Sequence, residues 1–343
     1  MFATKPPPVT RTSTPLLALT MGDPAGCGPA ITAAAWQQLR ADPTLSFYVI
    51  GAPALYAGSV PVREIASPAE ARAVFPDALP VLPLADVPAM QPGQPNAAAA
   101  PAIIRSIALA TAHALDGTAD AIVTNPINKA LLYGAGFTYP GHTEYVAYLC
   151  TTPNAPAPQP VMMLVGGGLR VALATIHMPL MQVASALSVP GLVALGHIVD
   201  HALRQDFGLA APRIAFTGLN PHAGEDGTIG TEEQAIINPA AHALRQSGIT
   251  ISDARPGDTV FAEALSGAYD AVIAMTHDQG LIPVKTLDFW GGVNVTLGLP
   301  VVRTSPDHGT AYDAAAAGTT RPDSLVAALR LAASMTLART QPT

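Results

Sequence analysis

The sequence predicts an α/β fold with a largely parallel sheet, and three observations lead to this prediction. Short apolar segments alternate along the 343-residue chain with longer segments rich in Ala and Leu, and such alternation is typical of strands followed by helices. Hydrophobic residues make up 49% of the chain and charged residues only 12%, against a usual charged share of about 25%. The length suffices for a large core and about two domains. Disorder of the whole chain is thereby excluded.

The predicted strands are short apolar runs, and the predicted helices are longer segments with Ala and Leu at helical spacing. The strands are Leu16–Thr20, Phe47–Gly51, Ala121–Thr124, Val161–Val165, Val171–Thr175, Arg213–Thr217 and Ala271–Met275. The helices are Pro29–Arg40, Ala100–Leu115, Gly191–Phe207, Glu232–Gln246 and Asp323–Thr336. A triple glycine, Gly166–Gly168, predicts a hairpin turn after one of these strands.

Three segments are predicted to be irregular. Residues 1–14 include three consecutive prolines and are expected to form a disordered lead-in, because proline cannot continue a helix. The segment Asp86–Pro101, rich in Pro, Ala, Gln and Asn, predicts a surface loop. A second proline-rich connector, Thr151–Pro160, is a plausible domain boundary.

Charge and cysteine content exclude several classes of protein. The net charge is -7, and the 17 Lys and Arg residues form no cluster, whereas nucleic-acid binders carry a basic face. The two cysteines, Cys27 and Cys150, cannot build a disulfide framework. The longest uncharged run, between Arg170 and Asp200, contains prolines and histidines that disfavour a membrane span. The N-terminus lacks the apolar region of a signal peptide. We therefore expect a soluble cytoplasmic protein.

Five of the nine histidines lie in loop-like motifs beside predicted strand ends or helix starts. They are His142 in PGHTE, His177 in ATIHMPL, His222 in GLNPHAGEDG, His277 in MTHDQG and His308 in SPDHGTA. Neutral imidazole binds Zn, Co and other borderline metals. Three histidines around a metal with open positions are typical of catalysis. The motifs therefore suggest a histidine metal site.

Spacing alone does not select three of these five histidines, but it favours His177, His222 and His277. Each follows a predicted strand after one to four residues, and the ends of parallel strands meet at one edge of a sheet. A competing pair is His197 and His201, four residues apart on one helix face, as in zinc proteases. Ile198 stands where that motif requires a glutamate base.

Two further segments could bind an anion. The loop TMGDPAGCGP at residues 20–29 joins a predicted strand to a helix, and its glycines allow close approach of a ligand. Lys285, Arg303 and Asn294 provide two cations and an amide in one stretch, a combination suited to phosphate or carboxylate. Neither a GxxxxGK[ST] loop nor a GxGxxG fingerprint is present.

Taken together, the motifs resemble one enzyme family, the 4-hydroxythreonine-4-phosphate dehydrogenases of pyridoxine 5′-phosphate biosynthesis. The motifs are MGDPAGCGP, TNPINK, YPGHTE, TIHMPL, GLNPHAGE, GDTVF, HDQGLIPVK, GVNVTLGLP and RTSPDHGTA, in order from about Leu16 to the last helix. The resemblance implies a two-domain fold like that of isocitrate and isopropylmalate dehydrogenases, with mostly parallel sheets and an interdomain cleft. Residues 15–139 and 302–340 would form the outer domain, and residues 140–301 a central domain with the metal site and dimer interface.

The resemblance also implies roles for individual residues. His177, His222 and His277 would bind one divalent metal ion (Zn, Mg or Co). Substrate contacts fall on His142, Thr143, Lys285, Asn294 and Arg303, and the candidate catalytic groups are Lys285, Asp258 and Asp278. The cofactor loop for NAD or NADP falls on His308, Gly309, Thr310 and Ala311. Family members are homodimers with the site at the subunit interface, where both chains supply metal ligands.

The implied reaction is NAD-dependent oxidation of 4-phosphooxy-L-threonine, followed by decarboxylation to 3-amino-2-oxopropyl phosphate. Cys27, Ala30 and Thr276 depart from residues common in the family. They leave open a related dehydrogenase acting on a phosphorylated hydroxy acid of the threonate or erythronate 4-phosphate type, or on a dihydrodiol carboxylate. Two other classes also remain open, a metal-dependent hydrolase without nicotinamide and a non-catalytic metal-binding protein.

Overall fold

The computed structural model describes residues 14–153 and 155–340, which contain one twelve-stranded sheet flanked by helices. Thr14 is therefore the one described residue of the predicted disordered lead-in, and the rest of that segment lies outside the described residues. The strands are β1 Leu16–Thr20, β2 Ser46–Gly51, β3 Val62–Glu64, β4 Leu79–Pro83, β5 Ala121–Val123, β6 Val161–Gly166, β7 Leu169–Leu173, β8 Arg213–Thr217, β9 Thr250–Arg255, β10 Ala271–Ala274, β11 Val293–Leu297 and β12 Arg303–Pro306.

The helices match the predicted segments to within a few residues, and shorter ones join them. They are α1 Gly28–Leu39, α2 Ala71–Val74, α3 Ala100–Leu115, α4 Lys129–Gly134, α5 His142–Leu149, α6 Leu180–Ala186, α7 Val189–Gln205, α8 Asn238–Gln246, α9 Val260–Leu265, α10 His277–Leu287, α11 Tyr312–Ala317 and α12 Asp323–Thr340. A π-helical turn, Glu233–Ile237, precedes α8. All five predicted helices are confirmed.

The strand order is β3-β4-β2-β1-β5-β12-β11-β6-β7-β10-β8-β9. Three neighbouring pairs, β12–β11, β11–β6 and β6–β7, are antiparallel, and the other described pairs are parallel. The predicted α/β class with a mostly parallel sheet is thus confirmed. The hairpin predicted at Gly166–Gly168 joins β6 to β7, and Gly167 and Gly168 adopt φ values of +58° and +85°, which suit the tight turn of a two-residue hairpin.

All seven predicted strands are present, but β3, β4, β9, β11 and β12 were not predicted. Continuous apolar runs reveal buried strands, whereas β11 carries polar residues at alternate positions and β12 consists of Arg, Thr, Ser and Pro. In β11, Asn294 and Thr296 alternate with the buried Val293 and Val295. The polar face of these central strands forms the floor of the cavity described below.

Helices cover the apolar faces of the sheet. On one face, α12 packs along β12, where the Thr304 hydroxyl donates a hydrogen bond to the Ala328 carbonyl at 2.9 Å. On α3, Ile103, Ile107 and Ala110 are buried, at the spacing of one helix face.

By length and composition, the described residues include one helix able to span a membrane, Ala97–Leu115. However, 44% of its tested window is buried, and α3 packs on β1 and β2 as a core helix does. Helices α6 and α7 would pass the same test only as one broken span, and they meet at 91°.

The sheet runs without a break through both predicted domains. The outer-domain segments supply β1–β5 and β12, and residues 140–301 supply β6–β11. One hydrophobic cluster contains residues of both groups, such as Leu19 and Val295. The division into two domains therefore stays a prediction.

Candidate active site

A cavity of about 630 Å³ lies over the polar face of the central strands. Its lining brings together most of the residues predicted to form a site, from segments far apart in the sequence. Predicted site residues in the lining are His142, Thr143, His177, His277, Asn294, Arg303, His308 and Gly309. Lys129, Glu144 and Asp307 also line it. Such a concave site with few, convergent polar groups is typical of a small-molecule site.

Arg303, the first residue of β12, is a buried cation whose hydrogen-bond partners are neutral. Its side chain is only 3% exposed. Nη1 donates to Thr296 Oγ1 at 2.8 Å and Nη2 to Thr124 Oγ1 at 2.7 Å. Nε has no partner among the described residues. Burial lowers the pKa of Arg303 to about 10, while the negative charge of Glu144 opposes this change. A buried guanidinium without a carboxylate partner is suited to an anionic ligand.

Two other polar atoms of the lining are buried without a partner in the described part of the chain. They are Nε2 of His142 and Oδ1 of Asn294. Burial, followed by the positive charges of Arg303 and Lys129, holds the pKa of His142 well below its usual value. His142 is therefore neutral at physiological pH. Because buried polar groups are normally paired, these atoms and Arg303 Nε indicate a ligand that supplies the missing partners.

Lys129 and Glu144 belong to the cavity, but sequence analysis assigned them no role. Gly141 separates them: a Cβ built there would lie 3.0 Å from Lys129 Cε and 3.4 Å from Glu144 Oε2. The absence of a side chain at Gly141 thus gives both residues room. The signals that could have identified them were the position of Lys129 in TNPINK, as one of only three lysines, and of Glu144 in YPGHTE.

His177 and His277 stand side by side at the cavity, with ring centroids 5.4 Å apart. His277 Nδ1 lies 2.8 Å from Asp278 Oδ1. Because an ionised carboxylate only accepts hydrogen bonds, Nδ1 carries the proton and Nε2 keeps a lone pair for a metal. Burial, then the positive charges of Lys129 and His277, lowers the pKa of His177. Two adjacent imidazoles, which bind metals in their neutral form, are a donor set that fits a borderline divalent ion.

His222 follows β8, whose carboxyl end lies at the same sheet edge as those of β7 and β10. Nevertheless, it is exposed and absent from the cavity lining. Asp258 is likewise exposed and absent from that lining. Within residues 14–153 and 155–340 of a single chain, no three metal-ligating side chains converge. One chain thus brings together two of the three predicted metal ligands.

The turn that carries His222 has an unusual backbone. Five consecutive residues, 222–226, adopt positive φ values between 42° and 78°. Four of them are not glycine, and each non-glycine residue in this conformation costs about 1–2 kcal/mol. Such backbone strain persists only where surrounding contacts hold it, and it is enriched at functional sites.

Lys285 does not line the cavity but contacts a residue that does, Asp307. Its Nζ donates to the Asp307 carbonyl at 2.7 Å and forms an ion pair with Asp307 Oδ2 at 2.5 Å. Asp307 lines the cavity, whereas Lys285 does not. The predicted role of Lys285 in binding substrate therefore requires it to leave or share this partner.

The predicted cofactor loop, His308–Ala311, docks on the glycine-rich loop at residues 20–29. Cys27 N donates to the Thr310 carbonyl at 2.8 Å, and a Cβ on Gly26 would lie 2.8 Å from the same oxygen. The Tyr312 hydroxyl donates to Asp23 Oδ2 at 2.5 Å. The absence of a side chain at Gly26 thus allows the two loops to pack against each other.

The competing pair, His197 and His201, lies on the exposed face of α7. It lines a separate cavity of about 370 Å³ that also contains Asp206 and Arg339. Those two residues form an ion pair at 2.6 Å. No third metal-ligating group joins the two histidines within the described residues.

Comparison with known proteins identifies the family. Residues 43–332 match the family model described as "Pyridoxal phosphate biosynthetic protein PdxA". The chain belongs to this PdxA family. The nine-motif resemblance is thereby confirmed.

Relatives named 4-hydroxythreonine-4-phosphate dehydrogenase match nearly the whole chain. A 4-hydroxythreonine-4-phosphate dehydrogenase of Caulobacter vibrioides is 52% identical over 336 residues, 96% of this chain and 99% of the relative. The crystal structure of a protein of that name from Klebsiella pneumoniae is 38% identical, covers 94% of this chain and 100% of its own, and has a TM-score of 0.83. These PdxA relatives are oxidoreductases by name.

A differently named structure is also similar. The terephthalate 1,2-cis-dihydrodiol dehydrogenase of Burkholderia xenovorans is 29% identical, with a TM-score of 0.65, over 94% of this chain and 98% of its own. The PdxA fold therefore occurs in a dehydrogenase with another named substrate, which keeps substrate choice a matter for experiment.

Proposed function

We propose that the protein oxidises 4-phosphooxy-L-threonine with NAD or NADP, assisted by one divalent metal ion, and that the product loses CO2 to give 3-amino-2-oxopropyl phosphate. The observation that carries the proposal is Arg303, a buried guanidinium without a carboxylate partner, in the same cavity as the His177–His277 pair. The names of the PdxA relatives support the same reaction. The description of the matching family supports pyridoxal phosphate synthesis as the pathway, and we propose the cytoplasm as its location.

The substrate phosphate is assigned to the Arg303 end of the cavity. Arg303 Nε and His142 Nε2 lack partners there, and either can donate a hydrogen bond to a phosphate oxygen when it carries a proton. Lys129 adds positive charge. Thr143 supplies a hydroxyl in the same wall. Charge-assisted hydrogen bonds from guanidinium and ammonium groups are among the strongest contacts available to phosphate.

The metal is assigned to His177, His277 and His222. When bound, it supplies Lewis-acid polarisation of the substrate hydroxyl. Asp278 would accept a hydrogen bond from the Nδ1 proton of His277, which leaves Nε2 free to bind the metal. Lys285, Asp258 and Asp278 are the candidates for the base that takes the hydroxyl proton. The loop His308–Ala311 would hold the nicotinamide cofactor, which would supply the hydride acceptor.

The arrangement of ligands supports a homodimer with a shared site. His222 and Asp258 are exposed, outside the cavity of their own chain. Beside His177, Leu180 and Met181 are 75% and 93% exposed, and apolar groups so exposed are typical of interfaces. A second copy of the chain would cover them and complete the metal site with His222.

The test is NADH formation by the purified protein with 4-phosphooxy-L-threonine and NAD, with and without a chelator. We expect turnover that the chelator abolishes and added metal restores. His222→Ala should lose most turnover and metal, whereas His242→Ala, at an exposed histidine of α8, serves as the matched control. Full activity with metal still bound in His222→Ala would contradict the metal assignment. Absence of turnover in folded, metal-loaded protein would favour the alternative substrates, which are threonate 4-phosphate, erythronate 4-phosphate and a dihydrodiol carboxylate. These would then be tested in the same assay.

A further inference from the structure

The buried carboxylate of Glu233 organises the turn that carries His222. Glu233 is only 2% exposed and is the first residue of the π-helical turn before α8. Its Oε1 accepts hydrogen bonds from the backbone N–H groups of Leu219 and Asn220, both at 2.8 Å. Its Oε2 accepts from Asn220 Nδ2 at 3.0 Å. One side chain thus fixes the entrance of the turn through three hydrogen bonds.

The turn is also shaped to enclose this carboxylate. A Cβ built on Gly224 would lie 2.6 Å from Glu233 Oε2, and one on Gly218 would lie 3.2 Å from Oε1. Both glycines therefore permit backbone to close over the carboxylate. Asn220 is held a second time, because its Nδ2 donates to Glu232 Oε2 at 2.8 Å.

The backbone needs such support because residues 222–226 are left-handed. Backbone hydrogen bonds of the turn include Ala223 N to the Asn220 carbonyl and Ile229 N to the Gly224 carbonyl, both at 3.1 Å. The π-helical geometry brings Glu233 to this position, and π-helical turns are enriched at functional sites. Ile237, at the other end of that turn, is fully buried and anchors it to the core.

We propose that Glu233 is a positioning residue for the metal site: it holds the left-handed turn so that His222 is presented to the metal without contacting the metal itself. The inference rests on the proposed function, in which His222 is a ligand. It predicts that metal affinity depends on a carboxylate outside the ligand set, as is common for groups that orient ligands.

The experiment compares Glu233→Ala, Glu233→Gln and His222→Ala with the wild-type protein. The probe is Co²⁺, titrated into metal-free protein and followed by its visible absorbance. Hydrogen exchange of the peptide spanning residues 219–229 is measured in the metal-free state. Glu64→Gln, at an exposed glutamate of β3, controls for the loss of one negative charge.

We expect Glu233→Ala to weaken Co²⁺ binding by about 10–100-fold and to speed exchange of the Leu219 and Asn220 amides. Glu233→Gln keeps an acceptor for both amides and should lose less affinity. Adding Glu233→Ala to His222→Ala should weaken Co²⁺ binding no further, because the two changes act through one ligand. In the control Glu64→Gln, both the KM for NAD and the Co²⁺ affinity should stay as in the wild type.

The outcomes separate the two proposals. If His222→Ala binds Co²⁺ as tightly as the wild type, the proposed metal assignment fails. If His222→Ala weakens binding but both Glu233 variants bind like the wild type, Glu233 does not position His222. If Glu233→Ala does not fold, Glu233→Gln decides: it loses the acceptor for Asn220 Nδ2, and wild-type Co²⁺ affinity in that variant overturns the inference.

Discussion

Asp278 accepts a hydrogen bond from His277, with its Oδ1 2.8 Å from the imidazole Nδ1. The two residues are adjacent at the start of α10, and Asp278 projects toward solvent with 83% of its side chain exposed. This contact favours the tautomer in which Nδ1 carries the proton. It supports a role for Asp278 in orienting His277, the proposed metal ligand, in place of the catalytic role that the family resemblance implies.

Asp278→Asn should weaken metal binding by about 10-fold, at the lower end of the effect of such orienting groups because the contact is exposed. The amide retains the size of the side chain but accepts a weaker hydrogen bond, so the imidazole loses part of its orientation. Competition between the protein and a chelator of known Zn²⁺ affinity measures the change. Unchanged affinity together with a large loss of kcat would instead make Asp278 the general base.

Arg303→Ala should raise the KM for the phosphorylated substrate by about 10–100-fold, the effect of losing about 1.5–3 kcal/mol from a charged hydrogen-bonded contact. If the phosphate is held equally in ground and transition states, kcat changes little. Steady-state kinetics at varied substrate measure this split, and Arg63→Ala, at an exposed position of β3, is the matched control. A loss confined to kcat would place Arg303 at the reacting atoms.

His142 should make the folded protein less stable in mild acid. Its pKa is depressed in the folded state by burial and by Arg303 and Lys129, while the unfolded chain binds the proton below about pH 6.5. Stability that is present above this pH is therefore lost as the pH falls toward the depressed pKa, because only the unfolded chain gains the proton. Urea unfolding at pH 7.5, 6.5 and 5.5 should show a shallower pH dependence of the unfolding free energy for His142→Gln than for the wild type. Identical slopes for both proteins would refute the depressed pKa.

Tyr312→Phe should loosen the predicted cofactor loop, His308–Ala311. The hydroxyl bond to Asp23 is lost, and Asp23, which is 1% exposed, keeps one acceptor unpaired, at a cost of about 1–3 kcal/mol. Because burial and Asp23 raise the pKa of Tyr312 to about 12, the hydroxyl donates throughout the working pH range. We expect a several-fold higher KM for NAD, an unchanged KM for the phosphorylated substrate and a lower melting temperature. Tyr269→Phe, at a half-buried tyrosine, is the control, and equal KM values for NAD would rule out the supporting role.

Much of the fold was predictable because strands buried on both faces leave continuous apolar runs, as in Phe47–Gly51 and Ala271–Met275. The strands that were not predicted contain polar residues or proline, as β12 and β4 do. The site shows the same division. His177 and His277 follow easily recognised strands, whereas Lys129 and Glu144 become site residues only through the approach of α4 to α5 around Gly141.

From the sequence alone follow the α/β class, the family resemblance and the residue types available for binding a metal and a phosphate, because local patterns and motif order are written along the chain. Only the tertiary structure decided which of them meet. His177 and His277 are neighbours because β7 pairs with β10 across a long sequence separation. Arg303 is a candidate anion site because folding buries its guanidinium beside the hydroxyls of Thr296 and Thr124, without a hydrogen-bonded carboxylate. Desolvation and strand pairing depend on the whole chain, and therefore no local pattern encodes them.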